Sequence, residues 1–553
     1  MSSCLTRVAV RTERGLCRSA WSLHTAPMGK RERLGGGGGT RGRGRIAGFL
    51  GALLCAGGFF SVGAKAFDFA DLARQAQALA ARPFKAQARI PLIGDFSYDN
   101  YRSIHFRPTR TLWSDRRFHL QLFAPGYRFV RAVAIHIIVG RRAILLPFRL
   151  TDFRFPRGLY PRVLPTPIGY AGFRLLYNGY HPGRSPAAEN NQVIVFLGAS
   201  YFRVKGAQEQ FGLSARALAI DTIAPHPEQF PHFVAFWIKR PTRTADRITV
   251  YALLNGPSVA GAFRLRIRPG RAATVAVHSL LFFRRPVHEL GLAPLSSMYM
   301  YDLCDRRPWA YLPPAVHDSE GFLLKTPHKT VWRQLANPRR VMQFVFPSRH
   351  LEGFGLIQRD RDFFDYESAS MRYQGRPSVW ITPEGHWGAG KATLIEIPTP
   401  NETNDNIVAF WQPAVMPVPL RPYPFDYRLR WNGNGPRESV ARIVHTFASA
   451  RCLRHPVRFA VDFRRAGLGA EERRGRIRAR VWGGPGARLS RIRLQDIGAR
   501  TVQVTFRVRS LTGHAVRVRA ALFSHKRPIS EIWDYVVAHE EAPFRVPSRR
   551  EGR

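Results

Sequence analysis

Cysteine is scarce in this chain: there are five, at positions 4, 17, 55, 304 and 452, and none joins a Cys/His group with metal-ligand spacing. Acidic residues are scarce too, 38 against 85 Lys plus Arg. The usual nucleophile and phosphate signatures are missing. There is no G-x-S-x-G elbow, no P-loop, no H-E-x-x-H, and no G-x-G-x-x-G between a strand and a helix. These absences exclude the common serine-hydrolase, nucleotide-binding and zinc-protease designs, and no cofactor and no metal are expected. Beyond the first 66 residues no apolar run approaches about 20 residues, so no membrane-spanning helix is expected.

The charge imbalance amounts to +47. Its basic residues are mostly Arg and are spread along the chain, without zinc-finger spacing, basic-leucine heptads or an RNA-binding aromatic signature. A nucleic-acid partner would call for a cluster on one element within a recognisable module, so none is expected. An arginine-rich background with a solubility role is the preferred reading, ahead of a field that concentrates an anionic ligand or holds the protein near an anionic membrane.

Residues 1–66 read as a leader. Arg41, Arg43 and Arg45 precede the apolar run Ile46 to Val62, and Ala64-Lys65-Ala66 offers small residues around a cleavage point. The far-upstream residues 1 to 27 point to Met28 as an alternative start. A mature chain beginning at Phe67 keeps 553 − 66 = 487 residues. Losing 11 basic and 2 acidic residues leaves it at +38. Export of this kind predicts a periplasmic protein. Cys304 and Cys452 then remain, and two isolated thiols in different domains read as inert rather than bridged.

A chain this long exceeds what one core usually fills, which predicts two domains. Aromatic residues at 12%, with 41 Pro and 47 Gly, favour short strands and turns. Phe67 to Ala81 is the one helical pattern, with Phe69, Leu72, Ala76 and Leu79 on one face and Pro83 ending it. Many short strand-like runs follow, such as Val193 to Leu197 and Ala272 to Phe283. The predicted fold is all-β: a large N-terminal β-sandwich over 67–411, a Pro-rich linker over 412–420, a small immunoglobulin-like β-sandwich over 421–540, and a basic tail over 541–553. From 421 onward there are 29 basic and 11 acidic residues, so +18 of the charge sits in the smaller part.

With no nucleophile motif, what remains is carboxylates, aromatics and amides, the side chains that recognise sugars. Three stretches are too polar for their surroundings. Pro398 to Asn406 places acids and amides between two strand-like runs, and a plain hairpin loop is an equal reading. His317-Asp318-Ser319-Glu320-Gly321 reads as a loop with an Asx-turn. Gln358 to Phe363 alternates charge along a short strand, where ion pairing across the strand is preferred.

The ordered motifs Leu197-Gly198-Ala199-Ser200-Tyr201-Phe202-Arg203, Gly212 to Thr222, Gln358 to Phe363, Arg376-Pro377-Ser378-Val379-Trp380, Trp387-Gly388 and Glu402-Thr403-Asn404-Asp405-Asn406-Ile407-Val408 closely resemble the osmoregulated periplasmic glucan biosynthesis proteins, with wording nearer the G branch than the D branch. The resemblance runs from about Phe67 to Tyr535. It implies action on β-1,2-linked glucan, with the inner-membrane glucan synthesis machinery as a further partner. Members that are inverting endo-β-1,2-glucanases imply Asp405 as general acid, Asp318 as general base and Glu402 as a further site carboxylate, with the proton relayed through a substrate hydroxyl and water. Burial beside Phe410 and Trp411 is expected to keep Asp405 protonated. Tyr201, Arg216, Trp380 and Trp387 are candidates for glucan contact, and each reads equally as core. The alternative is a non-catalytic glucan-binding factor that guides polymer assembly.

Overall fold

The computed structural model describes residues 67–537, apart from 91–95, 157–168, 182–188, 303–312, 434, 437–439, 450–455, 466–476 and 499. The leader, the tail, Cys304 and Cys452 lie outside the described residues. Strand takes 52% of the structure and helix 7%, so the all-β expectation holds.

The expected helix spans Phe69–Ala80. Asp68 accepts the N–H of Asp71 while Asp71 accepts that of Asp68, which satisfies two backbone donors that a helix start leaves open. Leu72, Ala76 and Ala80 form the buried face and rest on Trp237, Ala260, Ala262 and Phe282. Phe69 and Leu79 flank that face, partly buried. The helix therefore covers the outer side of several strands. This is why their alternation is imperfect in the sequence: both faces are out of water. A five-residue helix, Tyr98–Arg102, carries no apolar periodicity and gave no sequence signal.

Two sheets enclose the main core, with Phe173, Phe196 and Leu295 facing Phe236, Leu265 and Val277. One has ten strands, and its central run is Gln192–Leu197, Tyr201–Val204, Ser214–Arg216, Leu290–Ser297, Ile407–Pro413 and Gly390–Glu396. Leu290–Ser297 is buried along its whole length and yet contains Pro294, which has no N–H to give a neighbour. A bulge between Leu292 and Leu295 takes up the proline, and Ala293 there adopts φ +49°.

The second sheet has fifteen strands and does not stop at the large domain. Ile532–Val537 pairs in parallel with Lys329–Gln334 (Trp533 opposite Trp332), and Val516–Ser524 and Ile477–Gly483 extend the sheet beyond it. A separate four-stranded sheet, in the order Arg442–Ala448, Val457–Arg464, Thr501–Ser510, Ala487–Gly498, lies over these three strands. The second core between them uses Phe459, Phe506 and Trp533, together with Trp332, Ile357 and Trp380 from the first domain.

The boundary expected at 421 is corrected by this topology. Pro422–Asn432 runs in the middle of the large sheet, between Ser378–Glu384 and Ala273–Phe283, and the second core takes no residue before Ala441 from the C-terminal part. The prolines of 412–420 mark the crossing from one large sheet to the other.

A buried ion pair spans the junction. Arg359 donates from both terminal nitrogens to Glu531, at 2.6 and 3.0 Å, and its guanidinium lies 3.5 Å from the ring centre of Trp332. Gly321 leaves room for that indole, since a Cβ there would sit 2.2 Å from the ring. Replacing one partner strands a charge in a dry site, so Glu531→Ala is expected to lower stability by about 3–5 kcal/mol in urea unfolding. Arg359→Met with Glu531→Leu should recover much of the loss, and equal costs for the single and double variants would contradict this account.

Candidate active site

Four adjacent strands set the site. In Tyr201–Val204, Ser214–Arg216, Leu290–Ser297 and Ile407–Pro413, Tyr201 lies opposite Arg216, and Ser296 lies opposite both Ser214 and Val408. Tyr201 and Arg203 share one face, being two apart on a strand. The polar loop ahead of Ile407 emerges at the same end, carrying Glu402 and Asp405.

That loop is tied to the Asp318 turn by a short track of bonds. Asn406 accepts the N–H of Tyr299 at 2.9 Å and donates to the Ile397 carbonyl at 3.0 Å. Tyr299 pairs across the strand with His317, and the two rings stack at 5.4 Å. The Asp318 N–H then bonds the Met298 carbonyl at 2.8 Å. Asp318 and Asp405 are 87 positions apart in the sequence (405 − 318) but hang from the two ends of one pinned segment. The stretch 317–321, read from the sequence as a loop with an Asx-turn, is a buried connection, with Asp318, Ser319 and Glu320 all out of water.

Cations fill the space between these acids. Arg376 forms an ion pair with Asp318, and Arg203 lies 3.6 Å from Asp405 while donating to the Ser214 hydroxyl at 2.7 Å. Glu402 accepts the Tyr373 hydroxyl at 3.1 Å, and the Tyr373 ring lies 4.2 Å from the Arg376 guanidinium. Burial pushes the Arg376 guanidinium down to about 9, helped by repulsion from Arg203 and opposed by Glu402 and Asp405. Arg216 is buried, pairs with Glu228 at 2.7 Å and faces the Tyr201 ring at 5.6 Å. Burial raises the Tyr201 phenol, and the Arg216 charge works against that rise.

Asp318, Asp405, Glu402, Tyr201 and Arg216 thus belong to one neighbourhood. The two tryptophans do not. Trp380 packs into the second core. Trp387 packs at a tilt against Phe425, with ring centres 4.4 Å apart, and donates its indole N–H to the Asp426 carbonyl at 2.8 Å. Arg203, Tyr373, Arg376 and Glu228 were not singled out from the sequence, although Arg203 and Arg376 stand inside the motifs. The environment expected for Asp405 also differs. Trp411 points into the main core and Phe410 into a small cluster with Ala219, Ile395 and Val408 on the other face of the strand, and Arg203 lies against Asp405. Among the described residues, no group of His, Cys, Asp or Glu is placed to hold a metal ion.

The 358–363 stretch serves the site from behind instead of pairing across a strand. Gln358 is fully buried. Its side-chain Oε1 lies 2.9 Å from His317 Nδ1, and its side-chain Nε2 donates to the Tyr366 hydroxyl at 2.7 Å. Burial pushes His317 down to about 4, so it is a neutral positioning ring. Arg361 donates to the carbonyls of Gln358, Gln374 and Arg376. Glu320 accepts the N–H groups of Arg359 and Asp360 at 3.0 and 3.2 Å. Burial, then the Asp360 charge, hold its carboxyl well above the usual range.

The chain is similar to proteins already described. Residues 67–537 match the family model "Periplasmic glucan biosynthesis protein, MdoG". It is 37% identical over 508 residues to glucans biosynthesis protein D 1 of Ralstonia nicotianae, covering 86% of this chain and 92% of the relative. Against glucans biosynthesis protein G of the same organism it is 41% identical over 384 residues, covering 68% and 74%. With glucans biosynthesis protein G of Serratia proteamaculans it shares 35% identity over 496 residues, covering 86% and 94%. No described helix is long and apolar enough to cross a membrane.

The titrating groups around the site set a pH preference. Burial raises Glu209 and Glu396 to about 7 and Asp360 to about 6. Carboxyls with raised folded-state pKa values contribute stability below their unfolded pKa and lose it as pH rises through the folded value. His317 and His232, both pushed down to about 4 by burial, act in the opposite sense as pH falls below about 6.5. The urea midpoint should therefore be higher at about pH 6.5 than at about pH 8. Glu396→Gln, which keeps an acceptor for the Ala336 N–H, should shrink that difference. An unchanged difference would mean that Glu396 is ionised in the fold.

Proposed function

Since the chain belongs to the periplasmic glucan biosynthesis family, we propose that it acts in the periplasm on β-1,2-linked glucan as an inverting endo-glucanase, with Asp405 as general acid and Asp318 as general base. The observation that carries this reading is the convergence of two carboxyls from separate loops on one charged cluster, each loop pinned by buried hydrogen bonds. An inverting hydrolase needs one carboxyl to protonate the leaving oxygen and a second to activate water on the other face of the sugar. Asp318, paired with buried Arg376, has the setting of the ionised member. Asp405, on the loop that carries Glu402, takes the donor role in this reading, and the Arg203 charge beside it favours its ionised form until an arriving glucan draws that guanidinium away.

Tyr201 and Arg216 extend the same strand pair and are suited to a sugar ring and its hydroxyls. Tyr373, bonded to Glu402 and lying under Arg376, fixes the position of both. Guanidinium forks bind vicinal hydroxyl oxygens as well as carboxylates, so an arriving glucan would exchange partners with Arg203 and Arg376. That feature also favours a second reading, glucan binding without turnover, because an arginine beside each aspartate serves hydroxyl recognition as well as proton transfer. The inner-membrane synthesis machinery remains the partner class suggested by the family.

Purified protein incubated with linear β-1,2-glucan separates the readings. Wild type should release shorter fragments, with the newly formed anomer inverted by NMR. Asp405→Asn and Asp318→Asn should each reduce the rate by ~10²–10⁴-fold while the urea midpoint shows that the fold persists. Saturable glucan binding without fragments would establish the second reading and remove the catalytic roles.

A further inference from the structure

The outer face of the four-stranded sheet in the C-terminal part gathers arginine in an arrangement that the fold itself disfavours. Val457, Phe459, Val504, Phe506 and Val508 point into the second core, so their alternate neighbours point to solvent. Arg458 stands directly opposite Arg507, and Arg488 directly opposite Arg509. Arg493 follows opposite Thr505 on the same face. Like charges at opposed positions of a sheet repel and reduce its stability. Two such pairs in adjacent rows need a compensating partner or a use.

The acids of this sheet do not supply it. They are Asp462, which accepts from Gln503 at 2.9 Å and faces His445, and Asp496, which pairs with Arg465 at 2.5 Å. Neither stands in the rows that hold the arginines. Exposed apolar side chains border the patch. Phe447 lies in the Arg493 row at 44% exposure, Ile492 in the strand bulge at 45%, and Leu511 just past the Arg488–Arg509 pair at 64%. Guanidinium roots stand about 5 Å apart across strands and about 7 Å apart along them. The face is a two-dimensional array of cations edged by apolar groups, spread over neighbouring strands rather than along one line.

We propose that this face docks on the surface of an anionic phospholipid bilayer, its arginines on the headgroup phosphates and Phe447, Ile492 and Leu511 in the headgroup layer. Guanidinium forks match phosphate oxygens two at a time. A bilayer presents those phosphates as a plane, and it accepts apolar side chains beside them. A soluble polyanion would match the charge but would leave the apolar border in water. The proposal is independent of glucan turnover, since no residue of the patch belongs to the carboxylate cluster.

Co-sedimentation of the full chain with phosphatidylcholine vesicles, with and without phosphatidylglycerol, tests it. Binding is expected only with phosphatidylglycerol and should fall as salt is raised. The variant Arg458→Gln, Arg488→Gln, Arg507→Gln, Arg509→Gln should lose at least ~10-fold in partitioning, a loss in line with removing several phosphate-facing charges. Its urea midpoint should not fall, because two repulsions are removed. A control with equal charge loss on the large domain uses the exposed Arg141, Arg142, Arg240 and Arg266 changed to Gln and should partition like wild type. Equal loss in both variants would reduce the effect to net charge and overturn the proposal. So would capture of dextran sulfate through the four arginines with no binding to vesicles. Phe447→Ser should weaken vesicle binding while leaving dextran sulfate binding unchanged.

Discussion

Burying a guanidinium strips it of hydration, and the loss is offset only where carboxylates are brought to it with good geometry. Arg376 imposes that condition on this molecule. It is nearly out of water, and its surroundings collect Asp318 by direct pairing and Glu402 and Asp405 through space. Those acids arrive from two loops, so the loops must be held where the cation needs them. The Asn406–Tyr299–His317 track and the Gln358 amide do that holding. The grouping of these three carboxyls is thus enforced by an electrostatic demand that the folded chain itself creates.

The second consequence of the architecture is that site and C-terminal domain are not independent. Gln358 supports His317, and the very next residue, Arg359, is locked to Glu531 across the junction. Glu320, two residues beyond Asp318, takes the N–H groups of the same stretch. A polar segment of four residues therefore links the Asp318 side of the carboxylate cluster to the second core. Arg333, Arg517 and Arg519 converge on the buried Asp534 nearby, which reinforces the same seam.

Much of this was legible in the sequence, and the failures have physical causes. The helix was readable because its apolar spacing and its trailing Pro83 agree, and the structure adds the Asp68 cap at its start. The two aspartates were recoverable only from ordered motifs, since an Asp in a polar stretch looks alike whether it turns a loop or pairs with a buried arginine. Trp380 and Trp387 stayed open between sugar contact and core because a large ring suits both equally, and here the cores hold both. Proline density at 412–420 does mark a crossing, but between two sheets of one domain, so the strand at Pro422–Asn432 fell on the wrong side of the expected boundary. Arg203 and Arg376 escaped notice because arginine is common everywhere in this chain. Gln358 to Arg361 looked like paired charges along a strand, whereas their partners lie up to 172 positions away.

The parallel pairing of Ile532–Val537 with Lys329–Gln334 has a bearing on how the molecule is made. Hydrogen-bonding groups along Lys329–Gln334 stay open until a segment some two hundred residues later is available (532 − 331 = 201 between paired positions). Contacts so distant along the polymer form late and slowly, and an open strand edge invites association with other chains. A nascent copy is thus vulnerable to clumping until Ile532–Val537 has been made and has docked, and deleting that strand would leave the vulnerability permanent.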